Sequence, residues 1–361
     1  MTINLEKPNI LEFDQAELVA WLVDQGVESY RADQILKWLY TRQTDSFEQM
    51  TNLSKDMRAR LSDHFTIDRL TIDHIATSKD GTRKYVFQLK DGKRIESVLI
   101  PERDHYTLCL SSQVGCAQGC GFCLTAKMGM QRNLSMAEIV SQVRDIKNDI
   151  KDPKSLTNLV FMGMGEPLAN YRNLVAAIQI ITDGRFGFAF AGRRVTVSTA
   201  GLASRLADLG RDTRANLAVS LNAADNDTRS RLMPINRKYP IAKLLEACGH
   251  FPLRGGRRIT IEYVLLKDVN DSADDAHRLA KLLRPIKSKI NLIPFNPHPG
   301  CTYQRPPEDA ILRFQAILIA KNYTVMIRRS KGRDISAACG QLAAMGGRFI
   351  GKRRTTQSSV F

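Results

Sequence analysis

Apolar positions at Leu18, Val19, Leu22 and Val23, and again at Ile35, Leu36, Trp38 and Leu39, recur at helical spacing and predict a small helical unit over residues 12–64. Ser54, ahead of Lys-Asp-Met-Arg-Ala-Arg-Leu, reads as the start of a further helix. The period then shortens. Two β-rich runs, 82–89 and 94–100, flank Asp91-Gly92, a hairpin-turn signal, and predict a two-stranded connector. From Thr107 onward, short β-branched or apolar runs at 107–111, 158–162, 194–198, 216–220, 258–265, 289–293 and 324–328 alternate with helical stretches at 135–144, 170–182, 202–209, 241–248, 273–284 and 307–321. Asn270-Asp271-Ser272 supplies a cap for the helix that follows it. A repeated βα pattern of this kind predicts an α/β fold built on a parallel sheet, open or closed into a barrel. Ligands of such sheets gather at the carboxyl ends of the strands. Residues capable of chemistry stand there: a cysteine-rich loop after the first strand, Gly163–Pro167 after the second, Ser198 within the third, Asn222 after the fourth and Asn296 after the sixth. Together they predict one site.

The chain has 361 residues, enough for two or three domains or for one large α/β domain with an appendage. At 43% hydrophobic and 25% charged residues it has the composition of a folded protein, which excludes wholesale disorder. No apolar run approaches the ~18 residues of a membrane span. The first residues lack a basic segment followed by an apolar one, so no secretory signal and a cytoplasmic location are expected. The net charge of +16 predicts attraction to polyanions, and its distribution refines that expectation. Residues 1–65 hold 7 basic and 11 acidic side chains, whereas residues 301–361 hold 11 basic and 3 acidic, ending in Arg348, Lys352, Arg353 and Arg354. A polyanion would be drawn to the C-terminal part, and the N-terminal unit must act by something other than bulk charge.

Three of the seven cysteines fall in Cys116-Ala-Gln-Gly-Cys120-Gly-Phe-Cys123. Thiolates are soft ligands suited to zinc or iron–sulfur clusters. Zinc usually takes four ligands in spaced pairs, and no second Cys-x-x-Cys or His-x-x-x-His accompanies this triplet. Three thiolates on a tight loop match three corners of a 4Fe–4S cube and leave one iron open. Gly119 and Gly121 would let the backbone wrap that group closely.

The spacing Cys-x-x-x-Cys-x-x-Cys after the first strand resembles the radical SAM superfamily, and Gly163-Met164-Gly165-Glu166-Pro167 resembles its second landmark, whose carboxylate and carbonyls can accept from the ammonium group of S-adenosylmethionine (SAM). The segments 109–116, 161–171, 193–201, 216–223, 292–297 and 334–342 are similar to the RlmN branch of the RlmN/Cfr adenosine methyltransferases, a likeness that runs from the N-terminal helices to about Leu342.

The resemblance implies a partial (βα)6-type radical SAM barrel (106–342, including a catalytic C-terminal loop), preceded by a helical RNA-positioning domain (1–65) and a β connector carrying Glu96 (66–105), and followed by a basic tail (343–361). It implies a 4Fe–4S cluster held by Cys116, Cys120 and Cys123, and two SAM molecules per turnover, contacted by Gly165, Glu166, Ser198, Ser220, Leu221, Asn222 and Asn296. Several members have His where this chain has Asn222; both residue types can hydrogen-bond SAM. It further implies Cys339 as methyl carrier, Cys109 as the cysteine that resolves the protein–RNA adduct through a transient disulfide, and Glu96 as proton acceptor. Arg328, Arg329, Lys331 and Arg333 would favour the Cys339 thiolate. The implied product is 2-methyladenosine in 23S rRNA and at the adenosine 3′ of the anticodon in tRNAs; the C2 choice follows from likeness to the RlmN branch, since spacing does not separate C2 from C8. An external electron donor of the flavodoxin type and a monomeric state are expected. Cys248 and Cys301 are read as structural, and the six histidines form no ligand-like cluster.

Overall fold

The computed structural model describes residues 7–343. The chain opens with helices α1 (Gln15–Asp24), α2 (Arg31–Leu36, continued by a wider turn through Thr41) and α3 (Lys55–His64). Asp14 and Glu17 form a capping box on α1, and Ser54 Oγ accepts from Met57 N at 3.1 Å to start α3. Leu18, Leu22, Ile35, Leu36, Leu39 and Leu61 form the core of this unit. Trp21 and Phe13 meet Phe65 edge-to-face at 4.8 and 5.0 Å.

Three strands follow, not two: β1 (Thr71–Thr77), β2 (Arg83–Gln88) and β3 (Arg94–Pro101), all antiparallel. β1 escapes the apolar pattern because it is a mostly exposed edge strand, Thr-Ile-Asp-His-Ile-Ala-Thr. β3 pairs antiparallel with β4 (Tyr106–Cys109), so the connector is the rim of the main sheet.

A small hairpin, β5 (Gln113–Gly115) with β6 (Met130–Asn133), brackets the cysteine loop and the short helix α4 (Leu124–Lys127). The βα series then runs α5 (Met136–Asp149), β7 (Leu156–Phe161), α6 (Tyr171–Thr182), β8 (Val195–Thr199), α7 (Leu206–Asp212) and β9 (Asn216–Ser220). It continues through α8 (Asn226–Leu232), α9 (Ile241–Gly249), β10 (Ile259–Leu265), α10 (Ala273–Leu282), β11 (Ser288–Pro294), α11 (Glu308–Ala320) and β12 (Val325–Ile327). The ten-stranded sheet has the order β1-β2-β3-β4-β7-β8-β9-β10-β11-β12, parallel from β4 onward. This is the expected partial barrel, with β12 as a short added strand. Ser272 caps α10 as the sequence implied.

The helical unit is fastened to the barrel by the guanidinium of Arg144 on α5, which is fully buried and donates to Thr44 O at 2.6 Å and Asp45 Oδ1 at 2.9 Å. Among the described residues no helix is long and apolar enough to cross a membrane.

Candidate active site

The loop after β5 is pinned along its length. Cys116 N donates to Gly129 O at 3.0 Å, Gly121 N to Leu232 O at 2.9 Å and Cys123 N to Cys120 O at 3.1 Å. Cys116, Cys120 and Cys123 are free thiols on the wall of a cavity of about 170 Å³. Among the described residues they do not converge as ligands of a single ion would. Three thiols from one short loop on one cavity wall are a donor set suited to a cluster, in which each cysteine takes a different iron. Burial pushes the Cys116 thiol up to about 11 and Cys120 further, so these sulfurs become thiolates when a metal takes them. Of the two glycines expected to allow close wrapping, Gly119 is needed for its positive φ of +67°, whereas a side chain at either Gly119 or Gly121 would meet its nearest neighbour at an ordinary 3.5 Å.

The crowding lies one strand away. A Cβ on Gly163 would sit 2.6 Å from Leu110 O, and one on Gly165, whose φ is +101°, 2.5 Å from Gln113 Cβ. The loop 163–167 is sewn to the end of the first barrel strand: Ser112 N donates to Met164 O at 2.8 Å and Glu166 N to Gln113 Oε1 at 2.8 Å. The buried Glu166 carboxylate accepts from Leu168 N at 3.0 Å and Ala200 N at 2.7 Å, which straps β8 to this loop. Burial raises its carboxyl to about 7 against those bonds. Each oxygen keeps a second acceptor position, and the residue lines the cavity.

Gly165, Ser198, Ser220, Asn222, Asn296 and Cys339 line the same cavity; Leu221, Cys109 and Glu96 do not. Asn222 takes a left-handed φ of 59°, and its Oδ1 already accepts from Val264 N at 2.8 Å. That bond fixes the side chain on the cavity wall and leaves its second acceptor position open. Leu221 is fully buried behind the wall, its N donating to Glu262 O at 3.0 Å. Asn296 Nδ2 donates to Cys339 O at 3.3 Å and so positions the exposed Cys339.

Cys109 is buried at the end of β4, where burial and the nearby Cys339 thiol raise it to about 12 against the pull of Arg328. Both thiols are free. Glu96 is buried on β3, with Oε1 3.2 Å from Lys84 Nζ and Oε2 accepting from Ala343 N at 3.0 Å. It thus stands at the foot of the segment carrying Cys339. Arg348, Lys352, Arg353 and Arg354 lie outside the described residues.

Gln113, Arg229 and Glu262 are among the residues of this site that went unpredicted. Gln113 holds Glu166; Arg229, fully buried, donates to Leu221 O at 3.0 Å and Ala200 O at 2.8 Å and gathers the ends of β8 and β9; Glu262 lines the cavity from β10. A carboxylate inside the apolar run Ile-Thr-Ile-Glu-Tyr-Val-Leu was a readable signal for Glu262; the polar helix around Arg229 held none.

Residues 8–67 match the family described as the ribosomal RNA large subunit methyltransferase N-terminal domain, and residues 110–280 match the radical SAM superfamily. The chain is 57% identical to the dual-specificity RNA methyltransferase RlmN of Desulfosudis oleivorans, over 93% of this chain and 90% of that one. It is 55% identical to the protein of that name from Geobacter sulfurreducens, over 90% and 89%. A crystal structure of a radical SAM methyltransferase from Sphaerobacter thermophilus superposes with a TM-score of 0.87 at 43% identity, covering 94% of this chain and all of the other. The chain belongs to the RlmN family of radical SAM RNA methyltransferases.

Proposed function

We propose that this chain makes 2-methyladenosine in 23S rRNA, in the peptidyl transferase region, and at the adenosine 3′ of the anticodon in tRNAs. The observation that carries the reading is that Cys339, from the far end of the chain, lines the same cavity as Cys116, Cys120 and Cys123. The dual specificity in its relatives' names supports the two RNA classes. Cys116, Cys120 and Cys123 would hold a 4Fe–4S cluster, with SAM beside it among Gly165, Glu166, Ser198, Ser220, Asn222 and Asn296, and Leu221 behind that wall. Bound there, these groups supply an electrophilic methyl and a 5′-deoxyadenosyl radical.

Adenine C2 lies between two ring nitrogens and is too electron-poor to attack a methyl cation equivalent, so the methyl needs a carrier. Cys339 loses its thiol proton and takes the methyl; after removal of one hydrogen atom from the S-methyl, that carbon adds to C2, and the adduct gives up one electron, for which the cluster, when bound, would be the acceptor. Glu96 then accepts the C2 proton at an acceptor position left beside its contacts to Lys84 and Ala343 N. Cys109 gives up its thiol proton and attacks the Cys339 sulfur; the sulfur–carbon bond breaks, the released methylene takes a proton to complete the methyl group, and a Cys109–Cys339 disulfide remains that two external electrons and two protons reduce. A flavodoxin-type donor and a monomeric enzyme complete the reading. The acidic helical unit would place the RNA by shape, and the basic C-terminal part would hold phosphates.

The test is Cys339→Ala in anaerobically reconstituted enzyme. Formation of 5′-deoxyadenosine should survive, while nucleoside mass spectrometry finds no 2-methyladenosine; methylation persisting in this variant would overturn the reading.

A further inference from the structure

Ser220, Glu262 and Asn291 are aligned across β9, β10 and β11. Aligned residues of a parallel sheet present their side chains to the same face, so the three form one polar row inside the barrel. Glu262 is 3% exposed and lines the cavity, and its Oε1 accepts from Asn291 Nδ2 at 3.0 Å. Its Oε2 is buried without any hydrogen-bond partner. Leaving a buried carboxylate oxygen unpaired is costly. Arg328 lies near enough to act on its charge but forms no ion pair with it among the described residues.

We propose that Glu262 is a ligand-binding residue whose free oxygen accepts hydrogen bonds from the ribose hydroxyls of SAM. The inference rests on the reading of the cavity as a SAM site and extends it to a residue that reading did not include. Matching donors to acceptors leads to the diol. The ammonium group belongs at the Glu166 end, next to the cysteine loop. The adenine amino group is matched by the neutral Asn296 Oδ1, which is also without a partner. The remaining donors are the two hydroxyls. Ser220, the expected SAM contact, is the neighbour of Glu262 in the row, and a carboxylate is an established acceptor for ribose hydroxyls in nucleotide sites. Asn291, behind Glu262 and off the cavity wall, fixes its rotamer.

The experiment is equilibrium binding of S-adenosylhomocysteine and its 2′-deoxy and 3′-deoxy analogues to the cluster-loaded enzyme by titration calorimetry. The wild type should prefer the ribonucleoside by about tenfold or more, as a site built to bond a hydroxyl does. In Glu262→Ala that preference should collapse, with binding of the ribonucleoside falling about tenfold and at least one deoxy analogue changing less than about twofold. Glu262→Gln, which keeps the volume and one acceptor oxygen, should lose about threefold and retain the cluster absorbance and melting temperature of the wild type. Three results would overturn the inference: unchanged binding in Glu262→Ala, an equal loss for ribo and both deoxy ligands, or an intact preference with a loss confined to the sulfonium-bearing SAM. If the wild type itself fails to bind S-adenosylhomocysteine, the SAM reading falls, and the role of Glu262 falls with it.

Discussion

Two segments bring thiols to one cavity, and they are held by different kinds of bond. The Cys116–Cys123 loop is held largely through its own backbone, by Gly129 and its own turn nearby in sequence and by Leu232, His298 and Cys301 from farther along the chain. The segment 332–343 has no regular structure beyond one tight turn at Arg333–Ile335 and is clasped at both feet by residues far away in sequence. At one foot Ser78 Oγ donates to Asp334 Oδ1 at 2.5 Å, Gly332 N to Asp80 Oδ2 at 2.9 Å and Lys84 Nζ to Ser336 O at 3.3 Å. At the other, Leu124 N donates to Gly340 O at 2.8 Å, Thr125 Oγ1 to Leu342 O at 2.6 Å and Ala343 N to Glu96. A cluster needs a receptacle that stays put. On the proposed reading the methyl carrier would meet its donor, then a base, then Cys109, and exchangeable hydrogen bonds at the feet of a loop allow that.

Removing a ligand tests the receptacle most severely. Cys120→Ser should lose bound iron, and both 5′-deoxyadenosine formation and methylation should drop at least about a thousandfold, because the chemistry belongs to the bound group. Iron content and the two product assays check this together, and retention of SAM cleavage would break the distinction between the loops.

Gly165→Ala sharpens the same side. The added methyl meets Gln113 at 2.5 Å in a left-handed backbone, a combination that costs about 2–4 kcal/mol. SAM affinity should fall about tenfold or more. Gly119→Ala, with its nearest neighbour at 3.5 Å, should have the milder effect despite its φ of +67°. Binding isotherms for the two variants rank them.

Asp334→Ala tests the clasp. Without the acceptor for Ser78 Oγ and Lys79 N, methylation should slow about three- to tenfold through looser placement of Cys339, while cluster absorbance and SAM cleavage stay at wild-type levels. An equal fall in both activities would mean that the two segments are not independently held.

The contrast also explains what could be read from the chain. The buried parallel strands are short β-branched runs, so β4 and β7–β12 stood out, and the cysteine triplet declared itself because its chemistry is written into a span of eight residues. The edge strand β1, the β5–β6 hairpin and the polar helix α8 lack an apolar stripe and were missed. Cys339 in an alanine-rich segment looks like a small buried residue, and only family likeness pointed to it. Its placement depends on Ser78, Asp80 and Glu96, and no local pattern announces contacts across that much chain. Asn222 shows the converse, since its left-handed backbone and bond to Val264 N are tertiary facts that its place in a motif did not reveal.

The smallest effect concerns acid. Burial would raise the Asp80 carboxyl, but the backbone N–H groups of Gly332 and Thr82 outweigh it and hold it at about 2. A carboxyl depressed in the folded state contributes its hold above its unfolded value, about 3.9, and loses it as the pH falls through the folded value. Asp334, held down by Ser78 Oγ and Lys79 N, acts in the same sense. In cluster-free protein, amide protection of peptides spanning 332–337, corrected for intrinsic exchange, should stay level from pH 7 to about 4 and fall between about 4 and 2. Peptides spanning 116–129, where the amides of Cys116, Gly121, Cys123 and Leu124 donate to backbone carbonyls, should change less over that window. Asp80→Asn should lower the protection of 332–337 already at pH 7 and flatten its fall in acid. A wild-type protection that drops in parallel for both segments would show that acid loosens the whole barrel mouth, and the clasp would then have no separate existence.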